Sequence, residues 1–293
     1  MILAITGGTG FVGRSTIARA LAEGHAVRAL VRRPQPARSG VDWIAGSLND
    51  PGALEALVDG ADAVLHVAGV VNAPDRAGFV AGNVTGTQAM LAASGTRRFV
   101  HVSSLSAREP QLSNYGWSKR EAEACVMASA ADWTIVRPTG VYGPGDTELR
   151  DMFRLARAGL ALLPPPGRVS LIHVDDLARL LVALAERPGE RTVYEADDGN
   201  ALTHGALAAA IGRAVGRRVL PLHLPKALLQ VGARLDGAIR GAGAKLTSDR
   251  VGYLSHPDWT ARAACRPPAT LWTPTIALTD GLAETARAYG IGR

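Results

Sequence analysis

The chain has 293 residues, 47% of them apolar and 20% charged, which is enough for a large core and excludes a disordered or fibrous protein. Its two cysteines, Cys125 and Cys265, lie far apart and form no ligand pair, so no disulfide framework and no structural metal is expected, in keeping with a reducing, cytoplasmic setting. The formal charge of +6 is uneven: residues 211–250 hold eight basic side chains against Asp236 and Asp249, so this segment carries the whole excess.

Taken in order, residues 2–6 form a short apolar run, too short and too poor in basic residues for a signal peptide. The run ends in Thr6-Gly7-Gly8-Thr9-Gly10-Phe11-Val12-Gly13. A helical pattern follows to about Ala22, and Gly24 closes it. Residues 25–31 read as a second strand ending at Arg32-Arg33, and 41–44 as a third. Pro51 opens a helix to 58. A fourth strand covers 62–67, a long helix 76–94, and a fifth strand 98–102. The helix over about 113–129 carries Tyr115 and Lys119, and a sixth strand covers 133–136. Strands alternating with helices predict an α/β, Rossmann-type, doubly wound parallel sheet with helices on both faces. The pattern loosens beyond about 145, with Pro164-Pro165-Pro166-Gly167 as a break. A dinucleotide-binding domain over 1–163, with a return at about 173–196, and a mainly substrate-binding region over 164–293 are therefore expected. No run approaches the ~20 apolar residues of a membrane span.

Ligands of such sheets bind beyond the carboxyl ends of the strands, where strand order reverses. Gly7, Gly10 and Gly13, with Thr9, Phe11 and Val12 between them, sit between the first strand and the first helix. The first glycine allows a tight turn, the second a close approach of backbone to pyrophosphate, and the third close helix packing. The helix start offers free N–H groups and a positive dipole end. Arg32 and Arg33 stand where a carboxylate would bond the ribose of NAD. Arginine there suits the 2′-phosphate, so NADP(H) is preferred over NAD(H).

Tyr115 and Lys119, four apart on a helix, share one face. A free tyrosine ionises near pH ~10, and a neighbouring cation lowers that value. Such a pair can exchange a proton with a carbonyl or alcohol oxygen. Ser104, just past the fifth strand, is placed to hold that oxygen. Ser103 and Ser106 compete for the role, because side chains alternate along a strand. His66 and His101 read as packed or backbone-bonded strand residues, Cys125 as a buried small apolar side chain, and His173 with Asp175 as organisers of the domain junction. Trp117 reads as either substrate-facing or packed.

At this point the chain resembles the extended short-chain dehydrogenases/reductases, a family that includes epimerases and dehydratases. The matching pieces are the glycine turn, His66-Val67-Ala68-Gly69, Asn83-Val84-Thr85-Gly86-Thr87, Ser103-Ser104, Tyr115 with Lys119, the stretch from Arg137-Pro138 to Gly145, and His173-Val174-Asp175-Asp176-Leu177-Ala178. They run in the family's order over about 1–200. The resemblance implies that Ser104, Tyr115 and Lys119 are catalytic. It also implies that Val67, Ala68, Gly69, Val70, Asn83, Val102, Ser103, Pro138 and Val141 line the cofactor, with Tyr115 and Lys119 reaching it too. Ser47, followed by Leu48, stands where the family often has an aspartate on the adenine.

Leu105 and Ser106 follow Ser104 where the family's dehydratases use acidic residues, so dehydration is disfavoured. The interval to Tyr115 is short beside members that act on sugar nucleotides. Residues 222–239 are apolar with a basic fringe, the pattern of a core helix or of one lying on an anionic membrane face. The chain is thus similar to the branch that includes steroid-type dehydrogenases, bacterial sphingoid or ceramide ketoreductases and an accessory subunit of respiratory complex I. A lipid-like ketone is the expected substrate of an NADPH-dependent ketoreductase, with contact through 211–250 at the inner face of a membrane. A nucleotide-sugar epimerase or a non-catalytic structural subunit is the alternative. The basic segment lacks interleaved aromatics, so no nucleic acid partner is expected.

Overall fold

The computed structural model describes residues 1–244 and 246–291; Lys245 of the basic segment lies outside them. In chain order the elements are β1 (Ile2–Thr6), α1 (Phe11–Ala22), β2 (Ala26–Val31), β3 (Val41–Ala45), α2 (Pro51–Val58), β4 (Ala63–His66), α3 (Arg76–Phe79), α4 (Gly86–Ser94), β5 (Arg98–Val102), α5 (Asn114–Ala128), β6 (Asp132–Pro138) and β7 (Gly140–Tyr142). They continue as α6 (Arg150–Arg157), β8 (Leu160–Leu163), β9 (Arg168–Val169), β10 (Leu171–His173), α7 (Val174–Ala185), β11 (Val193–Ala196), β12 (Leu202–Thr203), α8 (His204–Ala214), β13 (Leu220–His223), α9 (Lys226–Arg240), α10 (Ser248–Leu254), β14 (Asp258–Trp259) and α11 (Leu278–Ala288).

The chain divides into two compact units. The first holds Met1–Pro138, Asp175–Ala196 and Cys265–Thr273, and the second holds the remainder. The division falls after Pro138, where sequence reading sets it at 163. The return at 175–196 supplies β11, and the excursion at 265–273 leaves no periodic trace in the sequence.

The first unit is built on a seven-stranded sheet in the order β11-β6-β5-β4-β1-β2-β3. Every pairing is parallel. Strand order reverses between β1 and β4, the switch point at which such sheets bind ligands. β1, β4 and β5 are buried along almost their whole length, apolar but for Thr6, His66, Arg98 and His101, because helices cover both faces. On one face Leu54, Leu57, Val64, Met90, Phe99, Val126 and Ile135 form a continuous core among α2, α4, α5 and the sheet. Each such side chain stabilises by about 1.5–3 kcal/mol.

Local signals set the helix ends. Asp50 accepts from the Ala53 N–H at the start of α2, where Pro51 opens the helix. Ser113 does the same for α5, accepting from Gly116 N–H at 2.9 Å. The long helix expected over 76–94 is continuous in α3 and α4 but passes through a π-helical turn at Val80–Thr85. Such turns are frequent at functional sites, and this one carries Asn83.

The second unit has its own core of Tyr142, Phe153, Leu171, Leu207, Ile211 and Leu282. Its strands form small sheets: β7 with β10, β12-β9-β14, and β8 with β13. Thr203 caps α8 by accepting from Ala206 N–H. Among the described residues no helix is long and apolar enough to cross a membrane.

Candidate active site

The site is built from loops at the carboxyl ends of β1, β4 and β5 together with the helices that follow. Gly7 has φ +72°, a conformation other residues rarely adopt, and a methyl there would lie 2.7 Å from Ala68 N. The glycine turn therefore packs directly on the loop after β4. A methyl on Gly13 would collide with the Gly7 carbonyl, so α1 needs glycine to start this close to the turn. Gly10 N–H closes the turn on Gly7 O at 2.9 Å. Gly10 caps α1 without a side chain, which leaves the first N–H groups of the helix facing the turn. Thr9 and Gly10 are exposed, while Phe11 and Val12 are half-buried.

A buried hydrogen-bond chain ties this turn to Asn83. Ala68 N–H donates to Thr6 Oγ1 at 3.2 Å, and Thr6 Oγ1 lies 2.8 Å from His66 Nδ1. On the other side of the ring, His66 Nε2 lies 3.1 Å from Thr87 Oγ1, which donates to Asn83 O at 2.7 Å. The Thr87 proton is thus committed, so His66 donates from Nε2 and accepts at Nδ1. Both roles require a neutral ring. Burial, followed by the nearby Lys119 charge, lowers the His66 pKa to about 3. His101 stacks on His66 with centroids 5.4 Å apart. It is fully buried, and neither nitrogen finds a hydrogen-bond partner among the described residues. Burial, then Lys119 and His66, hold its pKa well below the ordinary value.

Asn83 organises the loop after β4. Its Oδ1 accepts from Val70 N–H at 2.7 Å, and its Nδ2 donates to Val70 O and to Ser118 Oγ, each at 2.9 Å. A methyl on Gly69 would sit 3.3 Å from Asn83 Oδ1 and 3.5 Å from Lys119 Nζ. Val67, Ala68, Gly69 and Val70 therefore run between the glycine turn and the lysine.

Lys119 is 4% exposed, and its ammonium donates to Val102 O at 2.7 Å. Burial lowers its pKa to about 8, against an opposing pull from Glu123 one turn on. Tyr115, one turn before Lys119, is half-buried with its ring 6.2 Å from Phe79. Ser104 opens the short helical turn Leu105–Arg108, accepting from Ser106 N–H at 3.2 Å and from Ser106 Oγ at 2.9 Å. A hydroxyl that accepts two hydrogen bonds still has its own proton to donate. A methyl on Gly116 would lie 2.6 Å from Ser106 O, so this turn packs against α5 beside Tyr115.

The rival serines take other tasks. Ser103 donates its hydroxyl to Glu123 Oε1 at 2.6 Å and its N–H to Val136 O at 2.7 Å. Ser106 supports Ser104. Glu123 is fully enclosed and also accepts from Arg137 Nε at 2.7 Å and Nη2 at 2.6 Å. Arg137 lies 4.0 Å from Glu195, which Arg108 approaches to 3.4 Å. This buried ionic network locks α5 to the ends of β5, β6 and β11. Sequence reading missed it as a unit, although Glu123 stands four residues after Lys119, on the same helix face.

The remaining expected residues are dispersed. Arg32 and Arg33 follow β2 with exposed side chains. Ser47 Oγ accepts from Asn49 N–H, and Leu48 packs against the start of α4 at Gly86. Pro138 closes β6 in the first unit, whereas Val141 belongs to the second and pairs with Ile172. Trp117 is half-buried with the Arg76 guanidinium 3.6 Å over its ring. Cys125, expected to be buried, is only partly so, and its sulfur accepts from Gln88 at 3.5 Å. His173 ends β10, and Asp175 opens the return into the first unit.

Residues 7–188 match the NAD(P)H-binding protein family, and the chain belongs to it as an NAD(P)-dependent oxidoreductase of the short-chain dehydrogenase/reductase type. Among its relatives is a ceramide reductase from Caulobacter vibrioides, 36% identical over 301 residues, spanning 98% of this chain and 94% of that protein. A (4-alkanoyl-5-oxo-2,5-dihydrofuran-3-yl)methyl phosphate reductase from Streptomyces griseus is 31% identical over 229 residues, or 74% of each chain. In structure the chain is similar to a UDP-glucuronic acid 4-epimerase from Bacillus cereus in complex with NAD, with a TM-score of 0.75 over 99% of each chain at 17% identity, which shows a shared fold.

Proposed function

We propose that the protein reduces a ketone on a lipid-like substrate with NADPH, in the manner of a 3-keto-sphingoid or ceramide ketoreductase. The observation that carries the chemistry is Lys119: a buried ammonium held at the Val102 carbonyl, one helical turn from Tyr115. Similarity to a ceramide reductase over nearly the whole chain supports the substrate class.

The glycine turn is a cradle in which a methyl on Gly7 or Gly13 would strike backbone, and this fits a bound pyrophosphate. In the reading proposed here, Gly7, Gly10 and Gly13 hold the phosphates, and Arg32 and Arg33 take the 2′-phosphate. Residues 67–70, Asn83, Val102 and Pro138 complete the first unit's surroundings of the cofactor. NADPH, when bound, supplies the hydride. Ser104 donates a hydrogen bond to the substrate oxygen as negative charge develops there. Tyr115 gives that oxygen its proton, a contribution of about 10²–10⁴-fold for general acid catalysis. The Lys119 charge, one turn away, favours the phenolate left behind after that transfer. Ser103, Glu123 and Arg137 hold α5 in place.

The test is NADPH consumption by the purified chain against a panel of 3-keto-sphingoid and N-acylated keto-lipids, with nucleotide sugars in parallel followed by product analysis, because epimerisation consumes no net NADPH. Turnover of keto-lipids is expected. Turnover of nucleotide sugars alone would overturn the substrate assignment in favour of an epimerase, a reading supported by the fold it shares with the UDP-glucuronic acid 4-epimerase. An epimerase would also retain its dinucleotide through purification, whereas a reductase releases it. A lipid-like ketone resides in a bilayer, so the proposal places the chain beside the inner face of a membrane.

A further inference from the structure

Exposed large apolar side chains are concentrated in one part of the second unit. Of the twelve among the described residues, eight lie on β8, β13 and α9: Leu160, Leu162, Leu220, Leu222, Leu228, Val231, Leu235 and Ile239. Singly scattered apolar residues need no explanation, but a concentration of this kind marks an interaction surface.

The two strands show how it forms. β8 and β13 pair in parallel with Leu160 opposite Leu220 and Leu162 opposite Leu222. Side chains alternate along a strand. Ala161 and Leu163 therefore turn inward, where both are buried with Ala208, and the four leucines share the outer face of the ribbon. Only Leu224 and Pro225 separate the end of β13 from the start of α9. Leu228, Val231, Leu235 and Ile239 are spaced by three, four and four residues, which places them on one stripe of that helix. Ala233, on another face, is the buried residue of α9, and Gly232 lies against Leu246. Ile239 is 80% exposed, the most exposed of the eight.

Charge says what covers this surface. Arg157 precedes β8, Arg217 and Arg218 precede β13, and Lys226 and Arg234 lie on α9, all exposed. The one acid on α9, Asp236, pairs with Arg240 at 3.2 Å and accepts from Leu246 N–H. Exposed apolar side chains with exposed cations on or next to the same elements complement an anionic interface with an apolar interior.

We propose that the outer face of the β8–β13 ribbon and the exposed stripe of α9 dock the protein on an anionic phospholipid bilayer. The leucines enter the acyl boundary and the basic side chains meet the headgroups. This surface does not depend on the reductase reading, since a chain that fails to reduce keto-lipids can still bind vesicles.

The test is flotation of the full chain with phosphatidylcholine vesicles and with phosphatidylcholine vesicles containing phosphatidylglycerol. Wild type is expected to float with the anionic vesicles at least tenfold more than with the neutral ones, and to be released by salt. Leu220→Glu with Leu222→Glu, and separately Leu228→Glu with Leu235→Glu, should each reduce flotation at least tenfold while the melting temperature stays unchanged. Lys226→Gln with Arg234→Gln, which leaves every apolar contact intact, should weaken binding to anionic vesicles only. Absence of flotation at low ionic strength, or leucine variants that float like wild type, would overturn the proposal. So would a wild-type dimer that ignores vesicles and dissociates in the leucine variants, an outcome that assigns the face to a second copy of the chain.

Discussion

Replacing Glu123 with Gln keeps the shape of the side chain and removes only its charge. The carboxylate is fully enclosed and accepts three hydrogen bonds, one from Ser103 and two from Arg137, at 2.6–2.7 Å. An amide at the same place turns one acceptor into a donor that faces a guanidinium. It also leaves the Arg137 charge without its bidentate partner. Removing one partner of a buried pair costs about 3–5 kcal/mol. For a chain of this size, roughly 2–4 °C per kcal/mol converts that to a fall in Tm of roughly 6–20 °C. A second effect separates this from simple loss of stability. Burial lowers the Lys119 pKa to about 8, and the Glu123 charge opposes that fall. Without the carboxylate the lysine pKa drops further. Lysine loses its proton as pH rises past the folded-state value, so the alkaline limb of kcat/KM, expected near pH 8 in wild type, should move to lower pH in Glu123→Gln. Thermal unfolding reads the first effect and a pH–rate profile of ketone reduction the second. A Tm within roughly 4 °C of wild type, about 1 kcal/mol, together with an unmoved alkaline limb would refute this account of the network.

Tyr115→Phe should lose about 10²–10⁴-fold in kcat while binding dinucleotide as wild type does, measured by turnover and by cofactor fluorescence titration; rates like those of wild type would discard the proton donor. Arg32→Ala with Arg33→Ala should raise the KM for NADPH far more than that for NADH, and equal changes would sink the 2′-phosphate assignment. His66 and His101 are held neutral by burial, with pKa values below that of the unfolded chain. As pH falls below about 6.5, the unfolded chain takes up protons that the folded chain refuses, so stability drops by roughly 1.4 kcal/mol per pH unit for each histidine. His101→Phe should remove roughly half of that slope between pH 6 and pH 5, read from denaturant midpoints. A slope equal to that of wild type would show that His101 is not the group responsible.

The parallel sheet was legible in the residues because its signals are local. Apolar runs alternate with helical periodicity, Gly7 to Gly13 stand between strand and helix, and Pro51 and Ser113 start their helices. Tyr115 and Lys119 share a helix face for the same reason, since their spacing alone places them there. The fate of Ser103 depended on a partner twenty residues away, and choosing among three serines required knowing that Glu123 takes the first and that Ser106 supports Ser104. The chain of bonds from Ala68 through Thr6, His66 and Thr87 to Asn83 runs from Thr6 as far as Thr87, so no window of sequence contains it. The break after Pro138 and the return of residues 265–273 to the first unit were equally invisible, because unit membership is decided by long-range packing and not by periodicity. Periodicity likewise marked residues 222–239 as amphipathic but left open which face is buried. That was decided when Ala233 packed inward and the leucine stripe was left outside, since a helix buries whichever face its neighbours can cover.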